Sequence, residues 1–347
     1  MLLDPLYLIW ATIGYVLMFF IAAFVAPKLA NKFSGRLSLY TSMIIIASLT
    51  IGIFSIVIAV IFTMLSNYFG NIIEISGLIS FVFIGVVISN LLMYFLSPLL
   101  INLMYKTEKN AKLQSIVDKV KNKLNYRGKL NAVVTRNFSL PNAFAYGNFI
   151  FGKYVAVTPG MLNLTSESEL EAVIGHEIGH HLHKDNAVML LFGLLPAILY
   201  YLGYFLFRTG LFYRGKRESG SNAILAIVGL VAMLVSFIVQ MLILAFSRMR
   251  EYYSDMVGAK ASGKKMMQYS LAKLHYYYKG NQYALSNLNN NSTKMLFIYA
   301  FSNVIANPLK EFEIDEIKKE KYSAVEEFLS SHPPIPKRLE FLDKLPY

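Results

Sequence analysis

Four of the six histidines fall within eight residues: His176, His180, His181 and His183. Two of them frame the pentapeptide His176-Glu177-Ile178-Gly179-His180. Residues four apart share one face of a helix, so both imidazoles can reach a single metal ion. Glu177 lies beside them and can take a proton from water at that ion. A zinc ion lowers the pKa of its bound water to about 7, so a carboxylate can generate hydroxide at neutral pH. The motif is short and also arises by chance. Here it follows a helix start in which Ser166 and Glu169 form a capping box, and it carries apolar Val173, Ile174 and Ile178, the context it requires. His181 and His183 point to other faces, where solvation or Lys and Asp partners are expected.

Two histidines leave zinc short of a third protein ligand. The chain has no cysteine, so a carboxylate or one of the distant His275 and His332 must supply it. Glu251 is the choice. It opens Glu251-Tyr252-Tyr253-Ser254-Asp255. Asp255 shares its face and can accept a hydrogen bond from the free ring nitrogen of a ligating histidine. The plain alternative is a solvated acidic face beside Arg248 and Arg250.

The elements that must position these groups are set by lipid. The chain has 347 residues, 55% hydrophobic and 16% charged, with a mean hydropathy of +0.46. Soluble domains carry about 25% charged residues, which argues against an ordinary soluble globule. The high hydrophobicity excludes intrinsic disorder. Without cysteine, disulfides, thiol catalysis and thiolate metal sites are excluded. A crossing takes roughly 20 apolar residues. Five stretches qualify: about Leu6–Ala26, Leu39–Leu65, Gly77–Leu96 (ended by Ser97-Pro98), Ala187–Phe207 and Ala223–Phe246. The first lacks a basic n-region and carries Pro27 where cleavage would fall, so it reads as a permanent span.

The expected architecture is an α-helical polytopic membrane protein with an α+β zincin-like cytoplasmic catalytic domain. Residues 1–104 form a membrane region of about three spans. Residues 105–186 are the first part of the catalytic domain and contain the metal helix. Residues 187–246 form a transmembrane hairpin, and 247–347 complete the domain with the third ligand. Short β-like runs at 130–135, 144–151 and 154–158 precede the metal helix. Asn281–Lys294 reads as a loop. Met295–Ala306 is apolar but too short to cross.

Lys28, Lys32 and Arg36 after the first span place that loop, and hence residues 105–186, in the cytoplasm. The loop 208–222, with Arg208, Arg214, Lys216 and Arg217, breaks this rule if both flanking spans cross. The net charge of +12 is assigned to loops on anionic lipid. Nucleic acid has no supporting motif.

Together, His176–His180, Glu251–Asp255 and the tail Ser331-His332-Pro333-Pro334-Ile335-Pro336-Lys337-Arg338 resemble the HtpX-like family of integral-membrane zinc metallopeptidases. These are gluzincins, distantly related to the CAAX prenyl proteases. The resemblance covers about Leu130 to Leu342. It implies one zinc on His176, His180 and Glu251, with Glu177 as general base and Asp255 orienting a ligating histidine. Asn142, Ala143, Phe144 and Ala145 match a family segment that forms an edge strand beside the cleft, able to bind an extended peptide by β-augmentation. His332 would lie near the metal and stabilise an oxyanion. Arg338 would hold that segment or the catalytic carboxylates. Pro336 is expected to make the last helix start late. Three spans precede the catalytic segment, where the best-known bacterial members have two.

The function expected is zinc-dependent endopeptidase action on polypeptides, with misfolded or damaged membrane proteins the substrate class that the resemblance implies. A prenyl-protein-type protease would need more spans. Cleavage inside the bilayer is disfavoured because Ser166-Glu167-Ser168-Glu169 is too polar to precede a buried motif. A non-catalytic membrane scaffold would not need the complete set of groups.

Overall fold

The structure is a computed structural model that describes residues 36–69, 72–212, 219–280 and 314–346. The first expected span, the Asn281–Lys294 loop and the 295–306 stretch lie outside the described residues. So do residues 213–218 of the loop that breaks the charge rule. In chain order, two long helices, α1 (Arg36–Phe69) and α2 (Ile72–Tyr105), lead to β1 (Glu108–Lys109), α3 (Ala111–Lys123) and the strands β2 (Asn131–Val134), β3 (Ala143–Asn148) and β4 (Gly152–Val157). Then follow α4 (Pro159–Leu164), α5 (Glu167–Leu182), α6 (Asp185–Phe212), α7 (Ser219–Ser262) and α8 (Lys264–Gly280). Three short helices close the chain: α9 (Ile314–Lys319), α10 (Ala324–Leu329) and α11 (Ile335–Asp343).

Among the described residues, four helical segments are long and apolar enough to cross a membrane: Ser42–Thr63, Ser80–Tyr105, Asp185–Phe212 and Asn222–Ser262. The described residues are mostly helical, with four helices able to cross a membrane and a small mixed sheet. They divide into two compact units, one of Thr41–Met93 and Met189–Phe246, the other of residues 36–40, Tyr94–Val188 and Ser247 onward.

In the first unit, Ile61 packs with Leu202 and Leu206 of α6 and with Leu225, Val228 and Ala232 of α7. α6 and α7 approach closely because a Cβ at Gly229 would stand 2.3 Å from the Phe207 nitrogen. Small residues permit such contact where lipid supplies no hydrophobic drive between helices. Ile44, Ile51, Leu234 and Phe237 are exposed, as lipid-facing side chains are.

The second unit is built on a four-stranded sheet in the order β1-β2-β4-β3. β2 and β4 are parallel, whereas β1–β2 and β3–β4 are antiparallel. Among the described residues, β3 therefore ends the sheet. α5 packs against β3, β4, α3 and α8. On another face, Phe144 and Tyr146 of β3 join Tyr105 at the end of α2, with Val133 and Ala156.

Two helix boundaries differ from expectation. α2 does not stop at Ser97-Pro98 but continues to Tyr105 with Pro98 inside it. Proline removes the N–H that would bond the Tyr94 carbonyl. That oxygen instead accepts from Ser97 Oγ at 2.9 Å and from Asn148 Nδ2 at 2.9 Å, so the helix keeps its hydrogen bonds across the break. The last helix starts at Ile335, not later than Pro336. Pro336 falls in the first turn, where a missing N–H costs nothing.

Candidate metal centre

α5 begins as its sequence dictates. Ser166 accepts from the Glu169 N–H, and the Glu169 carboxylate accepts from the Ser166 N–H at 2.7 Å, closing the capping box. Lys273 anchors the same carboxylate at 2.6 Å. The helix is buried along most of its length, including His176 and Glu177. Two glycines let α7 lie against it. A Cβ on Gly179 would stand 3.0 Å from Ser254 Cα, and one on Gly175 would stand 2.4 Å from Ala261 Cβ.

This contact brings Glu251 to the histidine pair across 70 residues of chain between His180 and Glu251. His176 Nε2 and His180 Nε2 are 3.2 Å apart. Each lies 3.6 Å from a different oxygen of Glu251. Donor atoms of the three residues all lie within 4.8 Å of one another.

Behind the ring nitrogens stand two carboxylates. Asp255 Oδ1 is 2.9 Å from His176 Nδ1. Asp185 Oδ2 is 2.6 Å from His180 Nδ1, which Ser254 Oγ also approaches at 3.1 Å. With the neutral rings protonated on Nδ1 toward these carboxylates, the two Nε2 lone pairs would face each other. Such an arrangement repels unless a cation lies between. Donors at about 2.0–2.1 Å from a tetrahedral zinc would stand roughly 3.3 Å apart. The residues present therefore fit a zinc ion.

The electrostatics agree. Burial would lower the His176 imidazole, but Asp255 and Glu251 outweigh it and hold it at about 9. The cluster favours positive charge. Burial pushes the Glu177 carboxyl above its ordinary range, aided by Glu251 and opposed by the two imidazoles and the Ala145 backbone. Glu177 Oε1 is buried and has no hydrogen-bond partner among the described residues. A carboxylate oxygen so placed is suited to take up a proton.

The remaining residues singled out from the sequence surround this centre. Arg338 is fully buried and grips Asp255 with two bonds, Nε at 2.8 Å and Nη2 at 2.5 Å. Its Nη1 is 3.8 Å from Glu251. His332 places Nδ1 2.9 Å from Glu251 Oε2. Asn142 precedes β3 and is tied to Thr158 in both directions through its backbone. Ala143, Phe144 and Ala145 lie in β3, pairing with Val157, Ala156 and Val155. The side chain of Phe144 is buried against Tyr105, with ring centroids 5.2 Å apart.

Two residues escaped the sequence reading. Asp185 is one, and Arg250, whose Nη2 lies 2.5 Å from Asp185 Oδ2, is the other. A carboxylate five residues beyond the second histidine was the available signal. It becomes meaningful only because Lys184 adopts a left-handed backbone (φ 53°) that turns the chain back. His181 is not solvated. It is buried, with Nε2 2.9 Å from the Tyr154 carbonyl. His183 meets the Tyr253 ring edge-on at 3.9 Å.

The model of peptidase family M48 matches residues 107–345. A protease HtpX homolog of Archaeoglobus fulgidus is 47% identical over 342 residues, covering 99% of this chain and 97% of the relative. A protease HtpX homolog of Pyrobaculum aerophilum is 48% identical over 347 residues, covering 99% of each. Among solved structures, Ste24p of S. mikatae covers 89% of this chain and 67% of its own at 17% identity, with a TM-score of 0.49. That last similarity is too low to carry a shared fold.

Proposed function

The chain belongs to peptidase family M48 and is a membrane metallopeptidase acting on polypeptides, and we propose that it is a zinc endopeptidase whose ion is held by His176, His180 and Glu251. Zinc there would acidify a water and polarise a peptide carbonyl. Glu177 takes the proton of the attacking water as the C–O bond forms. It then delivers that proton to the departing amine nitrogen as the C–N bond breaks. Asp255 and Asp185 keep the two imidazoles in the tautomer that turns Nε2 toward the ion. Arg338 fixes Asp255 in turn. His332, with Nδ1 2.9 Å from Glu251 Oε2, would donate Nε2–H to the oxyanion as the imidazolium. The backbone of Ala143 and Ala145 on the last strand of the sheet, beside Glu177, receives the substrate as an added strand, and Asn142 anchors that strand through Thr158.

The observation that carries this reading is the Nε2 pair 3.2 Å apart with a carboxylate behind each ring. Membrane proteins that have lost their packing are the proposed substrates, because they expose extended segments to an enzyme fixed in the same bilayer. The site is assigned to the cytoplasmic side, supported by the lysines of α3 and by Lys28, Lys32 and Arg36.

The test compares detergent-purified wild type, Glu177→Ala and a chelated sample on casein and on an unfolded membrane protein. Zinc is measured by atomic emission. Glu177→Ala should keep its zinc and lose about 10²–10⁴-fold in rate. Undiminished cleavage by Glu177→Ala, or by the chelated sample, would defeat the proposal.

A further inference from the structure

The β3–β4 hairpin ends in Phe149-Ile150-Phe151, residues that are 79%, 54% and 37% exposed. Three consecutive large apolar residues at a tip call for a partner. Their surroundings identify it. β3 runs alongside the last turns of α2. Phe144 meets Tyr105, Tyr146 Oη bonds Asn102 Oδ1, and Phe149 packs edge-on against Phe95 at 5.7 Å. Phe95 lies 11 residues before Lys106, the first charge after Glu74. At 1.5 Å per residue that is about 16 Å of uncharged helix. Phe95 belongs to the membrane-capable segment Ser80–Tyr105. On the intervening stretch Leu96, Leu99, Leu100 and Leu103 are exposed. The tip is continuous with this apolar surface.

The backbone of the tip is prepared for a medium without water. Lipid excludes unsatisfied backbone groups. Asn148 Oδ1 accepts from the N–H groups of Ile150 at 3.0 Å and Phe151 at 2.9 Å. Tyr154 Oη donates to the Phe151 carbonyl at 3.1 Å. Asn148 Nδ2 is spent on the Tyr94 and Phe95 carbonyls. The nearest charge along the hairpin, Lys153, is drawn aside to Tyr126 Oη at 3.0 Å. A cavity of about 260 Å³ runs behind the tip, lined by Tyr94 and Phe149 and also by His180 and Asp185.

We propose that the β3–β4 hairpin is a membrane-dipping element, with Phe149, Ile150 and Phe151 seated among the acyl chains of the bilayer. The sheet edge is thereby rooted in lipid by its own side chains as well as by its contacts with α2. The surface stands on its own geometry and does not depend on the proposed chemistry.

The absence of cysteine makes the test clean. Ile150→Cys, and separately Phe151→Cys, is labelled with an environment-sensitive nitrobenzoxadiazole dye in the full chain. The protein is held in nanodiscs of phosphatidylcholine and phosphatidylglycerol. Lys112→Cys on the exposed face of α3 is the reference. Blue-shifted emission, quenched by doxyl-labelled lipid and spared by aqueous iodide, is expected at both tip positions, with the reverse at residue 112. Iodide quenching without a doxyl effect at the tip would overturn the proposal. Shielding from both quenchers would also overturn it, in favour of a protein partner.

Discussion

Asp185 and Asp255 stand in matching positions, each within hydrogen-bonding distance of the Nδ1 of one imidazole of the pair. Under the proposed ligand set, Asp185→Asn and Asp255→Asn should each weaken zinc affinity about 10–100-fold. Competition with a chromophoric chelator measures this without reference to activity. Full occupancy should return at saturating zinc. Asp255 was legible because a spacing of four from Glu251 puts both on one helix face. Asp185 was not, because its reach to His180 depends on a left-handed residue between two helices. His181 gives a prediction of another kind. Burial lowers it from 6.5 to about 4, against its bond to the Tyr154 carbonyl. The unfolded chain then binds the extra proton first, so this contribution is complete above pH 6.5 and is lost as pH falls toward 4. The difference amounts to about 3 kcal/mol at most. Thermal unfolding across this window should show the loss, and His181→Gln should flatten it.

At the level of elements, the crossing of α5 and α7 places Glu251. Gly175→Ala would gain up to about 1 kcal/mol of helix propensity. It would also drive a methyl to 2.4 Å from Ala261 Cβ, and overpacking costs about 1–3 kcal/mol. The clash wins, because the atom it meets is fixed to a helix backbone. Gly175→Ala should lower the melting temperature and weaken zinc binding. Adding Ala261→Gly should restore both, as a melting series with a chelator titration would show. The capped start of α5 and the short strands could be read from local patterns, since caps and alternation act within a few residues. The continuation of α2 through Pro98 could not. It depends on Asn148, 50 residues away, filling the carbonyl that proline frees.

For the whole molecule, lipid itself made the spans readable, because a crossing segment must stay apolar for its full length. The meeting of His176, His180 and Glu251 was readable only through motif spacing, since no local pattern encodes contact between residues so far apart in the chain. The proposed sidedness rests on the distribution of basic residues and is directly measurable. Lys112→Cys should react with a membrane-impermeant maleimide in inside-out vesicles and stay protected in sealed right-side-out ones. Ser219→Cys should do the opposite if α6 and α7 both cross. Matching labelling of the two positions would contradict this arrangement.

The 44 residues of α7 form one helix without proline, a rod of about 66 Å. It carries lipid-facing side chains at one end and Glu251 and Asp255 toward the other. Nothing along it can act as a clutch. Glu251 and Asp255 sit one turn apart on its stretch within the second unit, so any rotation of that stretch moves the proposed third ligand and the carboxylate behind His176 together.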